Sequence, residues 1–282
     1  MRRTTSELKA AFALFSSSRA ASRGAAIAFY AVTSLAPILL IVVAIGGLVF
    51  GRDAASGALF RQLNGVLGAQ GADFLQKMLA GASDASANYI ASAISIVMLI
   101  ASASGVFLEL EEALNALWQT EPRAGIVAMA KQRLISLLLV IGLSIVLVLS
   151  LLVDAVLQAL SGTIDAWLPF GNVLLMAMNV FVAVALMTVL FAAIFKLVPA
   201  GRIQGRELFA GAAVTAVLFE IGKFMIGMYL GSQSAASSLG AAGALLGILL
   251  WIYYSAQIFL FGAAFTKAHS EAAEALLPNQ TD

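Results

Sequence analysis

The chain has 282 residues, 61% of them hydrophobic and only 11% charged, with a mean hydropathy of +0.98 and a net charge of +1. Soluble domains carry about 25% charged residues, so this composition excludes an ordinary soluble enzyme. Cysteine is absent and His269 is the single histidine, which removes disulfides and thiol catalysis and leaves little room for zinc sites or histidine acid–base chemistry.

Residues 1–23 come first, with Leu8, Phe12 and Phe15 about one turn apart among Arg2, Arg3, Lys9, Arg19 and Arg23. Such a basic amphipathic arm either lies in the lipid headgroup layer or frays as a tail. The apolar run behind it is far longer than the core of a cleaved signal peptide. A spanning helix needs about 20 mostly apolar residues, and residues 24–51 supply them without a charge after Arg23. Pro37 in mid-helix removes an N–H and predicts a kink, to be read as a hinge or as a fixed bend. Loop 52–87 repeats Leu59, Phe60, Leu63 and Leu67, then Phe74, Leu75, Met78 and Leu79, around Gly65, Gly68 and Gly71. That pattern predicts two short amphipathic helices on the external rim.

A second uncharged span is expected at 88–108, followed directly by Glu109, Glu111 and Glu112 and then by Asn115 and Trp118 one turn apart. Here a gate helix locked by Arg123, Lys131 or Arg133 competes with a plain interfacial helix, a setting that suits Trp118. The third span, 134–153, ends at Asp154, which with Asp165 forms either an acidic rim or two solvated helix ends. The fourth, 168–195, carries Asn179, and the sixth, 239–266, carries Gln257. Both amides need partners in lipid, through interhelical hydrogen bonds or by lining a cavity.

The fifth span, 208–230, is interrupted by Glu220 and Lys223. Each charge costs about 2.5–3.5 kcal/mol at a helix centre, so it belongs toward the bundle interior or water. Their i,i+3 spacing allows them to pair on one face. They are read either as a substrate or proton site in a polar cavity, or as an ion pair that holds helices together.

Two-residue alternation is absent, which argues against a β-barrel. The expected fold is all-α: a six-helix membrane domain over 24–266, the arm 1–23, and a short tail 267–282. Twelve of the sixteen basic residues fall in the arm, the second and fourth loops and the tail, against Arg52, Arg61 and Lys77 on the other side. This asymmetry predicts both termini in the cytoplasm. The pairs Gly47–Gly51, Gly227–Gly231 and Gly243–Gly247 allow close helix contacts, expected within the chain rather than between copies. No phosphate-binding loop, nucleophile elbow or zinc motif occurs, so no catalytic residue, metal or cofactor is expected. Basic residues are divided among helix ends rather than gathered with aromatics, which argues against a nucleic-acid partner.

Three stretches carry a resemblance: Arg23-Gly24-Ala25-Ala26-Ile27-Ala28-Phe29-Tyr30 with Ser34-Leu35-Ala36-Pro37; Glu111-Glu112-Ala113-Leu114-Asn115-Ala116-Leu117-Trp118; and Leu250-Trp251-Ile252-Tyr253-Tyr254 with Gly262-Ala263. Through them the chain resembles the YihY/BrkB family of bacterial inner-membrane proteins, sometimes labelled ribonuclease BN-like. The resemblance covers nearly the whole chain and implies six transmembrane helices in a bacterial inner membrane. Serum resistance and envelope lipid export are attached to some members. Two departures stand out: Ala264 where the family usually has glutamate, and Leu239-Gly240 where Tyr-Gly is usual. No charged site is therefore assigned to the sixth span.

The leading expectation is a transporter-like protein that exports or flips a lipid or another amphipathic envelope component through a polar cavity lined by the fifth span. Membrane lipids are the expected partners, and nothing in the sequence indicates an oligomer. The alternative is a non-transporting scaffold or envelope-assembly factor, with loop 52–87 as its docking surface. One histidine and no clustered carboxylates leave the ribonuclease label without a metal site.

Overall fold

The computed structural model describes residues 2–85, 105–121, 125–164, 171–201, 205–232 and 236–275. They form helices α1 (Arg2–Ser17), α2 (Ala20–Phe50), α3 (Arg52–Ala85), α4 (described over 105–118), α5 (Ile126–Ile164), α6 (Gly171–Leu197), α7 (Gly205–Ser232) and α8 (Ala236–Glu274). Among the described residues there is no strand, and the protein is an all-α membrane protein. Leu175–Leu197, Gly205–Met225 and Leu245–Glu274 are each long and apolar enough to cross a bilayer, and the two arms of the bent α2 make a fourth if they count together as one span. The span expected at 88–108 lies outside the described residues except for 105–108, as do Arg123 and Asp165.

The outward faces of the spanning helices are apolar. Val173, Met176, Phe181 and Val189 on α6, and Phe209, Val217, Ile221 and Phe224 on α7, are all exposed. In water such a surface would be an aggregation hazard; against lipid tails it has no cost. Inside, two apolar cores divide the bundle. One gathers Ala11 of α1, Ile27 of α2, Leu114 and Trp118 of α4, Phe195 of α6, Leu208 of α7 and Leu260 of α8. The other gathers Leu39, Val42 and Val43 of α2, Leu59, Leu75 and Leu79 of α3, and Ile248 of α8.

α2 crosses from one core to the other, and it does so with a 53° bend between Ala20–Leu35 and Ile38–Leu48. The bend falls at Pro37, which has no N–H to give to the helix ladder. Gly51 ends the helix at φ +83°, a positive-φ conformation that a side chain would strain, and its N–H closes on Gly47 O at 3.0 Å. The glycine pair expected to pack helices therefore terminates one. Gly46 makes the close approach instead, against Ala55 of α3.

α3 departs from the expected pair of short helices. Its helical backbone runs unbroken from Arg52 to Ala85, yet Asp53 and Gln76 line the same cavity. A straight helix would hold residues 23 positions apart at about 34 Å. The helix is therefore folded back through its glycine-rich middle. Phe60 and Ala72, from the two arms, both line a second cavity. The apolar periodicity was a sound guide to helix, and the glycine-rich middle is where its two arms turn back on one another.

α7 and α8 are the most intimately joined pair. Thr215 Oγ1 donates to Gly211 O within α7 at 2.8 Å, and Thr266 Oγ1 donates to Gly262 O within α8 at 2.8 Å. Each hydroxyl is thus satisfied by its own helix, which leaves each threonine to fill the space above the other helix's glycine. Cβ atoms built at Gly262 and Gly211 would lie 2.7 Å from Thr215 Cβ and 2.6 Å from Thr266 Cβ.

Candidate functional site

Parts of the stretches that carry the family resemblance meet at one end of the bundle: the start of α2, the α4 motif and Ala263 of α8. Arg23, near the start of α2, reaches α4, where its Nη1 stands 3.7 Å from Glu112 Oε2 and 4.0 Å from Glu109 Oε1. Those distances are ion-pair contacts rather than tight hydrogen bonds. The guanidinium is positioned from the other side by Nε donating to Ser18 O at 3.3 Å. One residue on, Gly24 lies under Gln257 of α8, whose Nε2 donates to Ala21 O at 3.2 Å. Further along α2, the Tyr30 ring packs on Gly105.

Burial raises the Glu109 carboxyl above its ordinary 4.5, the neighbouring Glu112 charge adds to the rise, and Arg23 opposes it. With its folded value raised, Glu109 holds in the folded state a proton that the unfolded chain has already lost. Its ionisation therefore weakens the fold as pH climbs through the raised value, and that loss is absent below 4.5. Glu109→Gln should accordingly raise the melting temperature at neutral pH and flatten the decline from pH 4.5 to neutral pH. Thermal unfolding of both proteins in detergent across that range is the check. A glutamine variant less stable at neutral pH would show that the Arg23 contact outweighs the burial.

The C-terminal turn of α4 is fastened to two other helices. Asn115 is buried, and its Oδ1 accepts from the Ala200 N–H at 2.8 Å, in the turn after α6, and from Thr120 Oγ1 at 3.0 Å. Its Nδ2 is buried with no hydrogen-bond partner among the described residues. Gln119 adopts a left-handed φ of 54° to reverse the chain here, and Thr120 packs onto Gly201. Trp118 is buried rather than interfacial, because its indole N–H finds an acceptor inside, Ala263 O at 3.2 Å, and its ring meets Phe195 edge-on. Ala263 and Ala264 are fully buried beside it, so glutamate in place of Ala264 would enter an apolar core.

Glu220 and Lys223 pair on α7 as their spacing predicts, with Lys223 Nζ 2.5 Å from Glu220 Oε1. The pair is not sealed away: 18% of the Glu220 side chain and 36% of the Lys223 side chain remain accessible. Next to Glu220, Phe219 packs edge-on against Phe191 of α6 and Trp251 of α8. The Trp251 indole N–H is buried there without an acceptor among the described residues. Tyr254 closes over Gly222. Asn179 stands half-buried on α6, Glu111 half-buried on α4, and Arg133 exposed on α5. Asp154 lies within α5, and Pro37 marks the bend of α2. The candidates thus fall into separate places rather than one pocket: Gln257, Asn115 and Trp118 at the Arg23 end, and Glu220 with Lys223 farther along α7.

Sequence reasoning missed a contact between the chain's two ends. Glu7 of α1 is buried against α8, where its Oε2 stands 3.4 Å from His269 Nδ1, and His269 stacks on Phe265. Ala11 is buried on the same face and Phe15 meets Phe261 edge-on, while Leu8 and Phe12 point outward. The arm is therefore a docked helix with a second, apolar face left exposed. A glutamate in step with Ala11 was the available signal. Its partner is 262 residues away in sequence, which no local pattern reveals. Among the described residues, no group of three or more histidine or carboxylate side chains is placed to hold a metal ion.

The sequence pattern of the family described as virulence factor BrkB matches residues 11–282. Over 187 residues the chain is 32% identical to a UPF0761 membrane protein of Alteromonas mediterranea, covering 65% of this chain and 60% of that protein. A UPF0761 membrane protein of Ralstonia nicotianae is 31% identical over 173 residues, covering 61% and 38%, and one of Pseudomonas aeruginosa is 34% identical over 176 residues, covering 60% and 40%. The chain thus spans between 38% and 60% of the length of these relatives. They are named as membrane proteins and not as enzymes. No solved structure matches the chain. With the family pattern matched over residues 11–282, the chain belongs to the BrkB family of membrane proteins.

Proposed function

We propose that this protein is a transporter-like protein of the bacterial inner membrane that exports or flips a lipid or another amphipathic envelope component. The observation that carries the reading is the Glu220–Lys223 pair, placed within a long apolar helix and still partly accessible. Ionisable groups inside a spanning helix carry a desolvation cost, which makes such a pair a functional-site candidate. The orientation that goes with this reading puts both termini in the cytoplasm. It draws on the basic asymmetry and on the Glu7–His269 contact, which brings the two ends of the chain to one end of the bundle. Membrane lipids are its partners, and it works without a cofactor.

A second reading, a non-transporting scaffold, draws on the dense aromatic packing of Phe191, Phe195, Phe219, Phe259 and Trp251 among α6, α7 and α8. Such an interior resists the rearrangement that alternating access requires. Vesicles reconstituted with the full chain and tail-labelled fluorescent phosphatidylethanolamine separate the two. Dithionite quenches label in the outer leaflet, so a lipid-moving protein should extend quenching beyond the fraction seen in protein-free vesicles. Quenching that stops at the protein-free fraction would overturn transport of this lipid class and leave the scaffold.

A further inference from the structure

The folded-back α3 and the outer half of α2 enclose a cavity of about 310 Å³ lined by Leu40, Val43, Asp53, Ser56, Phe60 and Gln76, among others. A second cavity of about 250 Å³ adjoins it, sharing Phe60 and Gln76 as walls and adding Arg61, Asn64 and Asp73. Each is near or above the lower end of small-molecule site volumes, about 300 Å³. Neither includes Glu220 or Lys223. Their lining changes character along the chain. Leu40 and Val43 belong to the spanning part of α2, whereas Asp53 and Ser56 follow Gly51, where that helix ends.

The charges around the groove are unequally satisfied. Asp73 is paired with Lys77 at 2.7 Å. Asp53 and Arg61 have no ion-pair partner among the described residues, and they stand eight positions apart on α3, about 12 Å along its axis. An unpaired carboxylate in the first cavity and an unpaired guanidinium in the second suit a ligand that carries both signs on one head. The apolar lining at Leu40, Val43, Phe60 and Leu79 suits a chain. Its position, from spanning-helix depth to the helix end, opens the groove to molecules within the bilayer rather than to water-soluble solutes.

The geometry points to a binding site for an amine-bearing zwitterionic glycerophospholipid, its ammonium on Asp53, its phosphate on Arg61, and its upper acyl chain along Leu40 and Val43. A primary ammonium donates hydrogen bonds to a carboxylate, and a guanidinium offers a fork matched to phosphate. The inference names a lipid class for the transport reading and rests on it for movement, but not for binding.

Native mass spectrometry of the detergent-solubilised full chain, with phosphatidylethanolamine and phosphatidylglycerol added in competition, tests the site. The wild type should retain one phosphatidylethanolamine in preference to phosphatidylglycerol by about fivefold, the scale of a partly exposed ion pair. Asp53→Asn should abolish the preference while retaining both lipids. Ala80→Phe, which fills the first cavity from its wall, should exclude both, with lipid-free thermal stability as the control for folding. Equal retention of the two lipids by the wild type would overturn the assignment even if neither variant folds. So would undiminished retention by a folded Ala80→Phe. Quenching in the vesicle assay plays no part in this readout, so a static protein could still satisfy it, and lipid movement without headgroup preference would sink the site alone.

Discussion

Gly262→Val should leave little folded protein in the membrane, and Gly262→Ala should lower the thermal midpoint by several degrees. Gly211→Ala should do the same from the other helix. The cause is reciprocal: a Cβ at 262 lands 2.7 Å from Thr215 Cβ and 2.6 Å from its Cγ2, and a Cβ at 211 lands 2.6 Å from Thr266 Cβ and 2.8 Å from its Cγ2. Both threonines are fully buried and held by hydrogen bonds to their own helices, so neither can swing aside without losing a bond in lipid, where no water replaces it. Overpacking of this kind costs about 1–3 kcal/mol for a single methyl, and more for a branched side chain. Exchanging the roles of the helices at one contact isolates the cause. Thr215→Gly alone opens a cavity, yet Thr215→Gly combined with Gly262→Ala should recover part of what each change loses. Size-exclusion profiles and thermal unfolding in detergent on the four proteins give the cycle. An alanine at 262 with wild-type stability would mean that the two helices are not in contact as described.

That contact was only half legible in the sequence. The glycine-spaced pairs that attract the eye, Gly47–Gly51 among them, are recognised by their regular interval, but Gly51 is spent on ending α2. Gly211 and Gly262 form no interval with one another; their kinship lies in each facing a threonine on the other helix. Composition and helical period made the all-α membrane class plain, and charge rarity made Glu220 and Lys223 conspicuous, because both signals are local. Partner choice is not local. Glu109 and Glu112 meet Arg23, which precedes them by more than eighty residues, whereas the sequence offered Arg123, Lys131 and Arg133 close by. Trp118 looked interfacial because tryptophan commonly is, and only the carbonyl of Ala263 across the bundle explains why this one is inside.

The three variants Glu220→Gln, Lys223→Met and the two combined should show opposite patterns in stability and in transport. Either single substitution strands its partner's charge in a spanning helix, at a cost of about 2.5–3.5 kcal/mol less whatever the residual access returns. Lys223 is the more accessible of the two, so the lysine left by Glu220→Gln can turn its ammonium outward. The glutamate left by Lys223→Met has a shorter side chain and less access, and this variant should be the less stable single. The double variant removes both desolvation costs together, so its melting temperature should return close to wild type. Function divides the readings. A pair that only braces α7 predicts that lipid movement returns with stability in the double variant. A pair that meets substrate or protons predicts a protein as stable as wild type whose dithionite quenching stays at the protein-free level. Thermal unfolding and the vesicle assay on the same preparations decide between them, and full recovery of lipid movement by the double variant would remove Glu220 and Lys223 from the site.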